Sequence, residues 1–456
     1  MADLSIQTTP IDGLLVVTLD VLGDNRGWFK ENWQREKMVA LGLPDFEPVQ
    51  NNMSYNDEVG TTRGIHAEPW DKFVSSAHGR YFGVWVDLRQ GPGFGTTFTC
   101  EVDESVAVYV PRGVGNAYQT LTPGVTYSYL VNDHWSADKV SEYAYVNLAD
   151  ETLAIEWPIP LDQVQISDKD RQHPRLADAV QVPARKTLIL GSKGQLGRAL
   201  AKEFPDADQV DLDELDLTDP AQVAAWPWAS YGLVLNAAAW TNVDGAESAE
   251  GRRAAWKANA TVPAVLAQIA SQHRQTLVHV SSDYVFDGTK QGWTETDDLA
   301  PLSVYGQSKA AGDLAVSVTP RHYLVRTSWV VGDGKNFIAT MASLAERGVS
   351  PSVVDDQVGR LTHTSNLAAA IAHLVRSRAP YGTYNCTDGG EPVSWADIAK
   401  AVYEASGRSA DDVTPVSTEQ YYAGKEGIAP RPHGSTLDLS KLEATGYVVP
   451  VYAPGT

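Results

Sequence analysis

The feature that most constrains how this chain can fold is a change of pattern near residue 180. Up to about residue 165, short aromatic and β-branched runs recur between turn residues: "GLLVVTLDV", "RYFGVWVDLR", "TTFTCEV", "SVAVYVP" and "TYSYLVNDHW". Runs of that length, bounded by Gly, Pro, Asn or Asp, predict an antiparallel β sandwich or barrel, with one helix near "NWQREKMVALG". From residue 186 strands are followed by helix-period segments, in "KTLILG", "GLVLNAAA", "QTLVHVSS" and "HYLVRTSW". That alternation predicts a parallel, doubly wound sheet. Between the two lies "KDRQHPRLADAVQVPARK", polar, with two prolines and no strong periodicity. The expected division is therefore into domains 1–180 and 181–456.

Charge and cysteine content narrow the functional classes. A net charge of −21 argues against non-specific binding to nucleic acid or an anionic membrane. A phosphorylated ligand would need positive charge gathered locally. Cys100 and Cys386 are the only cysteines and neither sits in a metal-binding spacing, which fits a reducing cytoplasm and predicts no disulfide framework. The start, "MADLSIQTTPIDG", lacks a signal-peptide pattern, and no apolar run approaches the roughly 20 residues of a membrane span. A cytoplasmic protein is expected.

In the second half, "GSKGQLG" follows a strand and opens a helix. Gly191, Gly194 and Gly197 would let the backbone approach a pyrophosphate, whose charge then faces the helix N-terminus. Gln195 and Leu196 of the same loop, with Asp216 and Leu217 further on, join the expected cofactor set. Asp211, ending the second strand in "QVDLDELDLTD", could bind a ribose hydroxyl and favour NADH; a surface loop charge is an equal reading. The choice between NADH and NADPH stays open.

The decisive constellation is "SSDYVF" (281–286) with "YGQSK" (305–309). Tyr305 and Lys309 are four apart, so a helix puts them on one face. An ammonium there is expected to lower the phenol's pKa, making Tyr305 a usable proton donor, while Ser282 holds a carbonyl. In isolation YxxxK is an ordinary amphipathic pair; behind a glycine loop, an "NAAA" strand end and a strand-terminal serine it reads as catalytic.

These motifs, with "NAAAWTNVDGAE", "RTSWV" and "RPHGS", resemble the dTDP-4-dehydrorhamnose reductases, extended short-chain dehydrogenases, over about residues 186–440. The resemblance implies a Rossmann-type sheet with a small substrate-binding lobe and an NADPH or NADH cofactor. It implies that Ala237, Ala238 and Ala239 pass beside that cofactor and that Asp283 and Trp329 touch a sugar nucleotide. The tail "VVPVYAPGT" departs from the family's last helix, so the metal-bridged dimer of some relatives is not expected.

The first half gathers cations in a domain otherwise short of them: Arg63, His66 and Lys72 in "GTTRGIHAEPWDK", Arg26 beside Glu31 in "GDNRGWFKE", and Lys169 in "ISDKDRQ". With Gln50 of "VQNN" and the turn "VPRGVGNAY", these resemble the dTDP-4-dehydrorhamnose 3,5-epimerases, a cupin-like jelly-roll class, over roughly 4–172. By that match His66 is a base oriented by Asp170, Tyr129 returns a proton to the opposite face, and Lys72 stabilises an enolate. Trp135 falls where the family stacks an aromatic ring on thymine. Arg26, Arg63 and Lys169 become candidate diphosphate and sugar contacts. Asn116 stands where the family commonly has histidine, and "AEPWD" replaces its usual aromatic–glutamine run.

Each first-half residue has a bland alternative: a structural histidine, a packing tyrosine, a solvated "SDKD" turn. Their joint order favours the site. No metal is expected, since His66 and His78 lack ligand spacing, and the epimerase domain is expected to need no cofactor. The resulting expectation is a bifunctional enzyme that epimerises and then reduces a dTDP-4-keto-6-deoxy sugar, with a homodimer through the β domain. The alternatives are an active reductase behind a degenerate sugar-binding domain, or a non-catalytic scaffold.

Overall fold

A computed structural model describes residues 3–452. The chain divides into two compact units, Met1–Ala184 and Arg185–Thr456. The first contains two antiparallel sheets. One has six strands in the order Ser5–Thr8, Leu15–Thr18, Val106–Val110, Lys72–His78, Val125–Val131 and Gln50–Asn56. The other has five, in the order Ala144–Tyr145, Thr62–Ala67, Val114–Thr120, Tyr81–Asp87 and Thr97–Val102. A core drawn from both sheets joins Val74, Val108 and Tyr127 of the first to Tyr81, Trp85 and Tyr118 of the second. Alternation explains this: every second residue of a strand points to the same face, and the apolar faces meet. The sequence-predicted helix spans Arg35–Ala40 and buries Met38.

The second unit is built on a six-stranded, all-parallel sheet. Its order is Asp208–Val210, Lys186–Leu190, Tyr231–Asn236, Thr276–Ser282, His322–Thr327 and Gly382–Asn385. The strands are near-continuous apolar runs because both faces are covered. Ile189, Leu235 and Val325 pack on one side with Leu200 and Ile371, from helices Gln195–Glu203 and Thr364–Arg376. Leu188, Leu190, Val234 and Leu324 pack on the other with Leu266 and Val316, from helices Val262–His273 and Val304–Ser317. A further cluster, including Met341, Leu361, Ile398 and Tyr403, forms a small lobe of its own.

Strand order decides where a ligand can enter. From Lys186–Leu190 the chain steps outward to Asp208–Val210, then returns past the first strand to Tyr231–Asn236. The two connections therefore diverge and open a crevice at the carboxyl ends of the first and third strands. Gly191 leaves one of those ends and Ala237 the other. Gly191 has φ +75°, and a β-carbon there would lie 2.7 Å from the Ala238 nitrogen. At Gly197 a β-carbon would come 2.1 Å from the Gly191 carbonyl oxygen, so helix and loop meet backbone to backbone.

That contact makes a specific prediction. Gly197→Ala should destabilise the second unit by about 1–3 kcal/mol, the usual cost of overpacking. Calorimetry should show this as a lowered melting temperature, whereas Gly389→Ala, at a glycine whose added β-carbon meets nothing nearer than 3.5 Å, should cost less.

Candidate active sites

In the first unit the two sheets bring their polar residues to one cleft of about 180 Å³. His66 and Asn116 face each other across neighbouring strands of the five-stranded sheet. Lys72 and Tyr129 come from the six-stranded sheet, where Lys72 pairs with Val131, two residues from Tyr129. Period-two alternation therefore puts both side chains on the same face. Lys72 Nζ donates to Asn116 Oδ1 at 2.6 Å, forms an ion pair with Glu68, and lies 5.7 Å from the Tyr129 ring centroid. A buried ammonium needs such partners, since an unpaired one would be strongly penalised. Burial and the Glu68 charge push the Tyr129 phenol up to about 12, so it stays protonated near neutrality.

Behind His66 sits Asp170, in the short helix Asp168–Arg171, whose start is capped by Ser167. His66 Nε2 lies 3.0 Å from Asp170 Oδ1. Burial raises the Asp170 pKa, but its hydrogen bond to His66 and the charge of that ring outweigh this, so the carboxyl titrates below its usual range. His66, Arg63, Lys72, Asn116 and Tyr129 thus line one cleft, with Asp170 as the inner partner of His66.

The other first-half candidates are placed elsewhere. Arg26 pairs with Asp24 and Glu31 with Lys37, both at exposed positions. Gln50 accepts from the Trp135 backbone N–H, and Trp135 is exposed. Lys169 Nζ sits 5.5 Å from the Tyr145 ring centroid. None of these lines the His66 cleft. Conversely, Glu68 and Tyr127 do, and sequence reading overlooked both; Glu68 lies inside the very "AEPWD" run noted only as a departure.

In the second unit the crevice predicted from strand order is a cleft of about 560 Å³. Gly191, Gly194, Ala237, Ala238 and Ala239 line it, and so do Asp211, Asp216 and Leu217 from its other wall. Asp211 accepts hydrogen bonds from the backbone of Lys193 and Leu212, which fixes the loop against the second strand. Gln195 and Leu196 begin the helix; Gln195 donates to the Lys335 carbonyl, and Leu196 packs on the core. The helix has no side-chain cap at Gly194. Its first N–H groups are therefore free to receive an anion, and the glycine surface leaves room for one.

Ser282 ends its strand and Tyr305 stands in the first turn of helix Val304–Ser317. Ser282 Oγ donates to Asp283 Oδ1 at 2.7 Å, and Ser282 is near enough to the Tyr305 phenol to oppose the rise in its pKa. Lys309 shares the helix but its Nζ donates to the Val280 carbonyl at 2.6 Å. Here one expectation is corrected. The Tyr305 pKa is raised, not lowered, because burial dominates and the Asp283 charge adds to it. Lys309 pays for its own burial instead: its pKa is pushed down to about 8. Asp283, also fully buried, is pushed up to about 6.

Ser282 pairs across the sheet with Thr327, so Trp329, two residues beyond, leaves the same edge. Trp329 has φ +45° and stacks on Trp395 with ring centroids 3.9 Å apart. The "RPHGS" run has roles that its sequence does not declare. The structure gives it two: Ser435 favours the ionised form of Asp283, and Arg431 pairs with Asp244 close enough to Tyr284 to affect its titration.

Comparison with known proteins assigns both halves. Residues 185–454 match the RmlD substrate-binding domain family, and residues 8–178 match the dTDP-4-dehydrorhamnose 3,5-epimerase family. The chain belongs to both families. The epimerase-family half is 49% identical over 173 residues to the RmlC homologue of Streptococcus pyogenes, covering 37% of this chain and 87% of that protein. The reductase-family half is 38% identical over 274 residues to the dTDP-4-dehydrorhamnose reductase of Aggregatibacter actinomycetemcomitans, covering 57% and 92%. It also superposes on the crystal structure of the Bacillus anthracis dTDP-4-dehydrorhamnose reductase in complex with NADP. That match has TM-score 0.54 and 32% identity, covering 59% of this chain and 95% of the other. Among the described residues, no helix of the fused chain is long and apolar enough to cross a membrane.

The buried Lys309 ammonium carries a pH signature. Its folded pKa of about 8 lies below that of a free lysine near 10.4, so between those values the unfolded chain holds more protons. The second unit should therefore gain stability as pH rises across that interval, by roughly 3 kcal/mol at 1.36 kcal/mol per pK unit. Denaturant titrations of wild type and Lys309→Met from pH 7 to 10.5 should show the gain in wild type only.

Proposed function

We propose that the chain is a bifunctional enzyme performing two successive steps of dTDP-L-rhamnose formation. Its first unit, a cupin-like jelly roll, epimerises dTDP-4-dehydro-6-deoxy-D-glucose at carbons 3 and 5. Its second, a Rossmann-type unit, reduces the resulting dTDP-4-dehydro-L-rhamnose at carbon 4. The observation that carries this reading is the presence, on one chain, of two complete proton-handling sets. His66–Asp170 faces Lys72 and Tyr129 across one cleft, and Ser282–Tyr305 stands above Lys309 in the other unit.

In the first site the proton alpha to the ketone is the one to move. His66 removes it, and Asp170 stabilises the imidazolium that forms. Lys72 Nζ then holds the enolate oxygen, a buried cation placed where negative charge develops. Tyr129, protonated at neutral pH and arriving from the opposite sheet, delivers a proton to the other face. Arg63, which donates to Asn56 Oδ1 at the rim of this cleft, is available to the diphosphate.

In the second site the glycine loop, the uncapped helix start and Ala237–Ala239 would hold NADPH or NADH, which supplies a hydride when bound. Ser282 orients the sugar ketone, and Tyr305 protonates its oxygen as the alkoxide forms. Burial raises the phenol's pKa toward that of an alcohol, so the transfer depends on stabilising the phenolate. The Lys309 ammonium stabilises the phenolate left behind. Asp283 and Trp329, beside Ser282 and at the same sheet edge, are the sugar contacts.

The chain's setting is the reducing cytoplasm, consistent with two free thiols, Cys100 in the first unit and Cys386 in the second. A homodimer through the β-rich unit is supported by exposed Met53 and Tyr55 on its edge strand Gln50–Asn56.

Two variants test the assignment independently. His66→Ala should lower deuterium uptake from solvent at carbons 3 and 5 by about 10²–10⁴-fold and leave reduction of pre-epimerised substrate intact. Tyr305→Phe should lower reduction by a similar factor and leave uptake intact. Wild-type protein without deuterium uptake would reduce the first unit to a sugar-binding module.

A further inference from the structure

His173 is the one buried histidine of the first unit that the reaction above does not use. Its side chain is 6% exposed, and neither ring nitrogen makes a hydrogen bond of ordinary geometry among the described residues. A buried polar ring left without a partner costs free energy and calls for an occupant, a water or an ion. Its Nε2 lies 3.8 Å from the same Asp170 oxygen that sits 3.0 Å from His66 Nε2. One donor atom from each of His66, Asp170 and His173 falls within 4.8 Å of the others, the only such cluster among the described residues.

We propose that His66, Asp170 and His173 form a site for a borderline-soft divalent cation such as Zn²⁺, and that its occupation switches the epimerase off. Two imidazoles and one carboxylate are a common donor set for such ions. Tetrahedral donors at bond lengths of 2.0–2.1 Å lie about 3.3 Å apart, and the two carboxylate–imidazole separations bracket that value. Closing the longer gap takes a rotation of the His173 ring, opposed only by a weak attraction to the Gly64 backbone. His66 is one-third exposed toward the cleft and provides the way in, leaving the fourth position to water. The histidine pair considered from sequence, His66 with His78, is not this one: His78 is exposed, near Glu104.

Inhibition follows from the inventory of an imidazole. A neutral ring has one nitrogen lone pair to offer. When the cation takes Nε2, the single proton that the neutral ring holds there toward Asp170 passes through solvent to Nδ1, so the second lone pair becomes an N–H and no base remains. The ion also replaces the Asp170 hydrogen bond. This consequence rests on His66 being the epimerase base; the binding itself does not.

The test uses the full chain and Zn²⁺ as the probe. Calorimetric titration should show one Zn²⁺ per chain. Deuterium uptake should fall at least tenfold in step with occupancy and return on adding a chelator, while reduction of pre-epimerised substrate is unchanged. His173→Gln should keep its uptake yet bind Zn²⁺ about tenfold more weakly or worse, a loss that even outer-shell substitutions can cause. Wild type that binds no Zn²⁺, or a His173→Gln protein that binds it as tightly, would overturn the proposal. Thermal unfolding checks the variant's fold. Should it not fold, the visible spectrum of wild type loaded with Co²⁺ decides: a four-coordinate nitrogen/oxygen spectrum supports the site, and its lack refutes it. Absence of uptake before any metal is added would instead count against the epimerase reading, with the Zn²⁺ stoichiometry still judging the site.

Discussion

An ammonium taken out of water must find acceptors for its protons, and each unit of this chain is arranged around one that does. Lys72 is held by Glu68 and Asn116 between two antiparallel sheets. Lys309 is held by the Val280 carbonyl, one helical turn from Asp313, beneath a parallel sheet's edge. Both cations are nearly inaccessible to solvent. In a chain of net charge −21 they are not there to make the surface positive. They are local positive charges in low-dielectric surroundings, where a single charge acts on a neighbouring oxygen far more strongly than in water.

The two folds solve the placement problem differently. In the sandwich, strand alternation aims side chains from both sheets into one gap, so residues far apart in sequence meet face to face. Asp170 reaches His66 across 104 positions because a four-residue helix, capped by Ser167, delivers it to the edge of that gap. In the parallel sheet, placement comes from strand ends. Gly191 and Ala237 follow carboxyl ends of strands, Ser282 ends one and Trp329 lies two residues past another; the winding reversal at the first strand opens the crevice that Gly191 and Ala237 border.

This difference explains what could be read in advance. The glycine loop, the Tyr305–Lys309 spacing and the strand-terminal Ser282 are local patterns, legible from periodicity. The His66–Asp170 pair has no local signature and came only through family resemblance. Glu68, Tyr127, His173 and Ser435 were missed because their roles depend on which strand or loop they meet. The direction of the Tyr305 shift was misjudged for a related reason: spacing on a helix says that Lys309 shares a face, but not that its amine turns to a carbonyl, nor how deeply the phenol is buried. Arg26, Glu31, Gln50, Trp135 and Lys169, chosen from motifs, lie outside the cleft their neighbours form.

The grip that burial gives Tyr305 on its proton also fixes the form in which that side chain waits. Oxidising an alcohol here would require the phenolate as the starting form. With a pKa above the ordinary value near 10, fewer than about one molecule in a thousand carries it at pH 7. The side chain therefore rests as the protonated phenol across the physiological range, while the balance between ketone and alcohol is left to the concentrations of the reactants, since a catalyst lowers one barrier for both directions.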